Sequence, residues 1–177
     1  MTGRKSRTRS LFAAFTAAAL GAAALTASTA RAAESGLLQC QGTETIAYSP
    51  GVVLAPRDVT FTIDGRFASC LDTTGQVTGG SYEEEFTVSV GCNGLLDSFE
   101  AERVFTWSTG DTSTATTTGQ STALLGQVVT TLTGTITQGR FQGRSLLQTV
   151  TLPQLGFLQC ATTGLSGTTG LTTLTLT

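Results

Sequence analysis

Histidine is absent from this chain. That absence removes the side chain most used as a general base near neutral pH, and with it the Ser-His-Asp and Cys-His arrangements of nucleophilic catalysis. It also removes a common zinc ligand, and no C-x-x-C pair stands in for it, so the four cysteines do not read as a metal centre. No apolar run is long enough to span a membrane as a helix: the stretch from Leu11 to Leu25 falls short of the roughly 20 residues required, and nothing later comes closer. Basic residues thin out after position 31. Five of the ten lie at or before it, whereas all twelve acidic residues lie after it.

What is present at the N-terminus explains this imbalance. Arg4, Lys5, Arg7 and Arg9 form a basic start, the alanine-rich apolar run follows, and Ala30-Arg31-Ala32 offers small residues at the two positions a signal peptidase reads. Residues 1–32 are therefore expected to be a cleaved signal peptide, and residues 33–177 a single secreted, extracellular domain. Thr8 separates Arg7 from Arg9, so the paired arginines of the twin-arginine route are missing. Cleavage would move the formal charge from −2 to −7. An acidic chain of this kind is a poor partner for nucleic acid or anionic lipid, both of which demand basic patches.

The remaining chain alternates with a two-residue period. Val59, Phe61, Ile63 and Phe67 share one face of a strand, as do Tyr82, Glu84, Phe86, Val88 and Val90 of the next, with Glu84 expected at the rim of the core. Gly126 to Pro153 reads as a long hairpin: Val128, Thr130, Leu132, Gly134 and Ile136 lie on one side, Leu146, Gln148, Val150 and Leu152 on the matching side of the return strand, with Gly139 and Gly143 in the turn. Such a ribbon needs other strands to cover its apolar face. Leu37 to Tyr48 is expected as the first strand, Asn93 to Glu102 as the one helical turn, Phe105 and Trp107 in a fourth strand that returns through Thr112 to Thr118, Leu155 to Cys160 as extended or irregular chain, and Gly167 to Thr177 as the last strand. Abundant threonine suits strands whose outer face meets water. The fold class is all-β: an antiparallel sandwich or barrel of about eight strands.

Cys40, Cys70, Cys92 and Cys160, an even number in an exported chain, read as two disulfides. In an up-and-down strand order Cys40 and Cys70 share one end, and Cys92 and Cys160 the other, which favours those two pairs. If the loop from Ser69 to Gly80 crosses the fold and inverts the third strand, Cys70–Cys92 with Cys40–Cys160 becomes the natural pairing. GLLQC at 36–40 and GFLQC at 156–160 are read as similar strand ends.

The order C-x-G-T, Tyr48-Ser49-Pro50-Gly51, a lone Trp107 before a Gly-polar turn, a G-x-F-x-G loop at 139–143 and a last cysteine after a Leu-rich segment resembles a group of small secreted four-cysteine actinobacterial all-β proteins. The resemblance implies export and a disulfide frame, and brings no activity with it. The acidic composition is also similar to that of the neocarzinostatin-type sandwiches, which carry an apolar chromophore. Their cysteines pair closely in sequence, so that likeness concerns fold class only.

Candidate chemistry is sparse. Asp72-Thr73-Thr74-Gly75 and Asp111-Thr112-Ser113 read as turns capped by Asp rather than an aspartic dyad. Glu84 opposite Glu44 or Glu102 could supply a carboxylate pair for hydrolysis, against the simpler reading of Glu83, Glu84 and Glu85 as a solvated charge run. Clustered acids for calcium are not apparent. Leu152 to Gly156 lacks the threonine, tail and basic end of a sorting signal, so release rather than anchoring is expected. The threonine rows lack the fixed period of an ice-binding ladder. Trp107, Tyr48 and Tyr82 alternate with apolar neighbours and belong in the core rather than at a carbohydrate face. No catalytic, cofactor-binding or metal residue is assigned. The expectation is a monomeric, non-enzymatic binding or interaction module for an unknown extracellular ligand or protein, without cofactor; the alternative is a carboxylate-dependent extracellular hydrolase.

Overall fold

The computed structural model describes residues 37–153 and 157–177. The signal-peptide reading of residues 1–32 lies outside them, as do residues 154–156 of the Leu152 to Gly156 segment. Eight strands follow one another: β1 (Leu38–Val52), β2 (Arg57–Asp72), β3 (Gly80–Val90), β4 (Phe99–Trp107), β5 (Thr112–Leu124), β6 (Gln127–Gly139), β7 (Ser145–Pro153) and β8 (Leu165–Leu176). Each is antiparallel to the next, and β8 returns to β1 from Leu38↔Leu176 to Val52↔Leu165, which closes a barrel rather than a sandwich. Closure removes most of the free edges that a sandwich would keep. Outward positions such as Thr131, Thr133 and Thr135 on β6, and Thr173 and Thr175 on β8, carry polar side chains. Inward positions hold the core.

The lower end is packed solid. Leu38, Phe67, Phe105, Trp107, Ile136, Leu146, Leu174 and Leu176 are buried there. Phe67, Phe105 and Trp107 stack on one another, with 5.5 Å between the Phe105 and Trp107 centroids. Two loops plug this end. Val77, from the β2–β3 loop, is 1% exposed, and Phe141, at the tip of the β6–β7 turn, meets the Trp107 ring edge-on at 5.6 Å. The Trp107 indole N–H donates to Ser113 Oγ at 2.8 Å, and Ser113 donates to the Arg140 carbonyl. Asp72 holds the other plug: its carboxylate accepts from the Thr74, Gln76 and Val77 N–H groups and from Thr74 Oγ. Partial burial works against the Asp72 charge, but these bonds outweigh it and keep the carboxyl below its ordinary range.

The disulfides are Cys40–Cys70, with Cα atoms 4.0 Å apart at the lower end, and Cys92–Cys160, 6.2 Å apart at the upper end. The up-and-down order therefore holds, and the β2–β3 loop does not invert β3. Three local expectations are corrected. The helical turn is only a 3-10 helix over Cys92–Leu96, because Phe99 to Glu102 already pair with Gly119 to Thr116 of β5. β1 runs past Tyr48 to Val52, where it regains β8 at Leu165. The segment expected to be extended before Cys160 contains a helix, α1 (Phe157–Ala161). The two look-alike pentapeptides thus end up in different states, Leu38 to Cys40 in a strand and Phe157 to Cys160 in a helix.

One seam differs from the others. β3 and β4 pair only over Gly80↔Trp107, Ser81↔Thr106 and Tyr82↔Phe105, and then diverge around the 3-10 helix. Among the described residues no helix is long and apolar enough to cross a membrane.

Candidate functional site

Midway up the barrel the inward positions turn polar. Glu44 (β1), Tyr82 and Glu84 (β3), Arg103 (β4), Gln148 (β7) and Thr172 (β8) form one hydrogen-bonded belt. Gly65 makes its geometry possible. It lies between Glu44 and Tyr82 in the strand register, and a Cβ there would come within 2.0 Å of Tyr82 Cζ. The ring therefore lies across Gly65, and its hydroxyl reaches over β2 to donate to Glu44 Oε2 at 2.6 Å. Gln148 Nε2 donates to the same hydroxyl at 2.8 Å and to Thr172 Oγ1 at 2.9 Å.

Arg103 closes the belt from the opposite wall. Its Nε and Nη2 grip both oxygens of Glu84, and Nη1 donates to Gln148 Oε1 at 2.9 Å and lies 3.5 Å from Glu44 Oε2. The guanidinium sits 4.2 Å from the Tyr82 ring centroid, a cation–π contact in a desolvated place. The fork also spans the seam. The β3–β4 ladder stops at Tyr82↔Phe105, and the Glu84–Arg103 ion pair continues it with side chains.

Burial pushes the Glu44 carboxyl up, and the Glu84 charge adds to that; together they outweigh Arg103 and the Tyr82 hydrogen bond, so Glu44 holds its proton above the ordinary range. The Tyr82 hydroxyl is raised for the same reasons, burial first and Glu44 next. Arg103 stays firmly charged: burial opposes the charge, but Glu84 and the other belt groups prevail.

Above the belt the barrel is hollow. A cavity of about 780 Å³ opens there, within the range that holds small organic ligands. One wall is the aromatic row Tyr48, Phe61 and Phe86, in register across β1, β2 and β3; Tyr48 meets Phe61 edge-on at 4.9 Å, and Phe61 stacks on Phe86 at 5.1 Å. The far wall is Leu132, Val128, Val150 and Leu152, with Leu95 and Leu96 of the 3-10 helix at the mouth. Phe99 leans over Gly119, which has no side chain to obstruct it. Phe86, Val88 and Phe99 sit on the inward-facing side of their strands yet are 43%, 42% and 41% exposed, so the cavity reaches solvent along the open part of the seam. Burial, helped by Glu44, moves the Tyr48 phenol up to about 12.

The residues weighed from sequence fall as follows. Glu84 and Glu44 are brought together on one guanidinium, so Glu84 belongs to the belt and not to the rim of the core; Glu102 points outward and is exposed. Asp72 and Asp111 lie in lower-end turns, Asp111 bound to Thr109 and Arg140, and neither lines the cavity. No group of metal-ligating side chains exists among the described residues. Trp107, Tyr48 and Tyr82 are buried. Arg103 is the residue that sequence reasoning missed, although it shares the inward phase of Phe105 and Trp107. No protein-family model, curated protein or solved structure matches this chain.

Proposed function

We propose that this protein is a secreted, non-enzymatic binder of a small apolar molecule, held in the upper half of the barrel. The observation that carries the reading is the cavity itself: about 780 Å³, walled by aromatic and aliphatic side chains and floored by a few convergent polar groups. Small single barrels either fill their interior with side chains or enclose one ligand, and this chain does the first below the belt and the second above it. The two disulfides fit an oxidising, extracellular setting. The resemblance to small exported four-cysteine proteins fits the same reading.

The test is native mass spectrometry of protein purified from culture medium, with binding of the neutral dye Nile red as a second readout. Retained small-molecule mass, or saturable dye binding lost in Leu132→Arg, supports the reading. A wild-type barrel that binds neither refutes it.

The hydrolase reading has one observation in its favour, a buried Glu44 whose carboxyl is pushed above its ordinary range beside a second carboxylate. Against it, both oxygens of Glu84 are gripped by Arg103, so the second carboxylate of the pair is not free to activate water. Hydrolytic activity that disappears in Glu84→Gln would reverse this preference.

A further inference from the structure

The polar floor carries information about the ligand's head group. Glu44 is 3% exposed and lines the cavity. Its Oε2 takes both the Tyr82 hydroxyl and Arg103, while Oε1 has no hydrogen-bond partner among the described residues; it is not a sealed-off atom, so it borders the cavity that Glu44 lines. A carboxylate oxygen without a protein partner at the floor of an apolar chamber can accept a hydrogen bond from an entering ligand.

The charge balance decides which donor. Two carboxylates in the belt, Glu44 and Glu84, share one guanidinium, so with Glu44 ionised the floor has a surplus negative charge. The rim repeats the sign: Glu83, Glu85, Asp97, Glu100 and Glu102 line the opening, and among the described residues Arg103 is the only basic residue of the lining. Arg57, at the same end, is exposed and donates to the Gly51 carbonyl instead. A low-dielectric cleft lined by one sign of charge concentrates the opposite sign. An anionic head, such as a fatty carboxylate, would have to take Arg103 from Glu84 and Gln148. A neutral head would gain nothing from the negative sign of the floor and rim. The aromatic row Tyr48, Phe61 and Phe86 offers π-faces on which a cation is also favourable.

Resting on the binding reading above, we propose that the cavity takes an apolar amine, its ammonium seated on Glu44 Oε1 and its hydrocarbon or aromatic body against the Phe61–Phe86 wall. Burial raises the Glu44 carboxyl above its ordinary range, and an ammonium seated on it would favour the ionised form.

The test uses one hydrocarbon tail with three heads, dodecylamine, dodecan-1-ol and dodecanoate, each displacing Nile red from the purified protein below its micelle concentration. The amine is expected to bind at least about tenfold more tightly than the alcohol, and dodecanoate most weakly. In Glu44→Gln, checked for folding by circular dichroism, the amine-to-alcohol ratio should fall to about one. Should the variant not fold, the three-head comparison in the wild-type protein decides alone. Equal or tighter binding of dodecanoate or dodecan-1-ol overturns the amine while leaving the binding reading intact, as does an amine preference that survives in Glu44→Gln. Failure of Nile red and all three compounds to bind defeats the binding reading itself.

Discussion

The two halves of the barrel use the same alternation of side chains to opposite ends. Below the belt, inward residues such as Phe105, Trp107, Leu174 and Leu176 are 3% exposed or less. Above it, Phe86, Val88 and Phe99 occupy the same inward phase and stay more than two-fifths exposed. The difference lies in the loops. Val77 and Phe141 fold into the lower end as plugs, whereas the upper end is bounded on one side by the 3-10 helix and α1, tied by Cys92–Cys160, and elsewhere left open. Inward phase alone does not bury a side chain; something must fill the space opposite.

Four substitutions sharpen or break that contrast. The largest effect is expected at the boundary: Arg103→Met removes the cation between Glu44 and Glu84 and should cost about 3–5 kcal/mol, as breaking a buried ion pair does, read from urea unfolding. A loss under about 1 kcal/mol would mean that the belt is wetter than its burial indicates. Trp107→Ala, in the lower core, should cost about 3–5 kcal/mol through the cavity it leaves, with ligand binding by the folded fraction unchanged. Phe86→Ala should show the reverse, a stability change near or below about 1 kcal/mol because the ring is already part exposed, with dye affinity reduced several-fold. If Phe86→Ala is as damaging to stability as Trp107→Ala, the two halves are not energetically distinct.

The smallest effect concerns pH. Glu44 faces Tyr82, Glu84 and Arg103, and its folded pKa is raised above the ordinary 4.5. The folded state therefore binds this proton more tightly than the unfolded chain. Its contribution is fully present below the ordinary value and is lost as pH rises through the elevated one. Asp72 runs the other way, contributing above its ordinary value and losing that as pH falls. In Glu44→Gln the decline from acidic toward neutral pH should flatten relative to wild type, by thermal melts across that range. An unchanged slope would show that Glu44 does not govern it.

The strand phases, the Cys40–Cys70 and Cys92–Cys160 pairs and the core place of Trp107 were legible in the sequence, because alternation is local and an up-and-down order fixes which strand ends meet. The site was less legible. Glu44, Glu84 and Arg103 each sit in phase with apolar neighbours, Ile46, Phe86 and Phe105, and that shared phase was the available signal. Read strand by strand, each charge looks like a solvated interruption; only closure of the barrel brings the three together. The cavity was hidden for a related reason, since volume depends on which loops fold inward. α1 was hidden because Phe157 to Cys160 differs little from a segment that forms a strand.

The short β3–β4 seam also bears on how the molecule behaves in company. Past Tyr82 and Phe105 both strands present edges that their neighbour does not pair, and exposed edges invite another chain to add a strand. Here each edge is flanked by acids, Glu83 and Glu85 on β3 and Glu100 and Glu102 on β4, all exposed. Two copies approaching edge to edge would bring like charges into register, and like charges directly opposite destabilise a strand pair. The unpaired part of the seam thereby carries charges that oppose edge-to-edge pairing, and Glu83 and Glu85 of a glutamate run that looks idle in the sequence stand where the barrel is least closed.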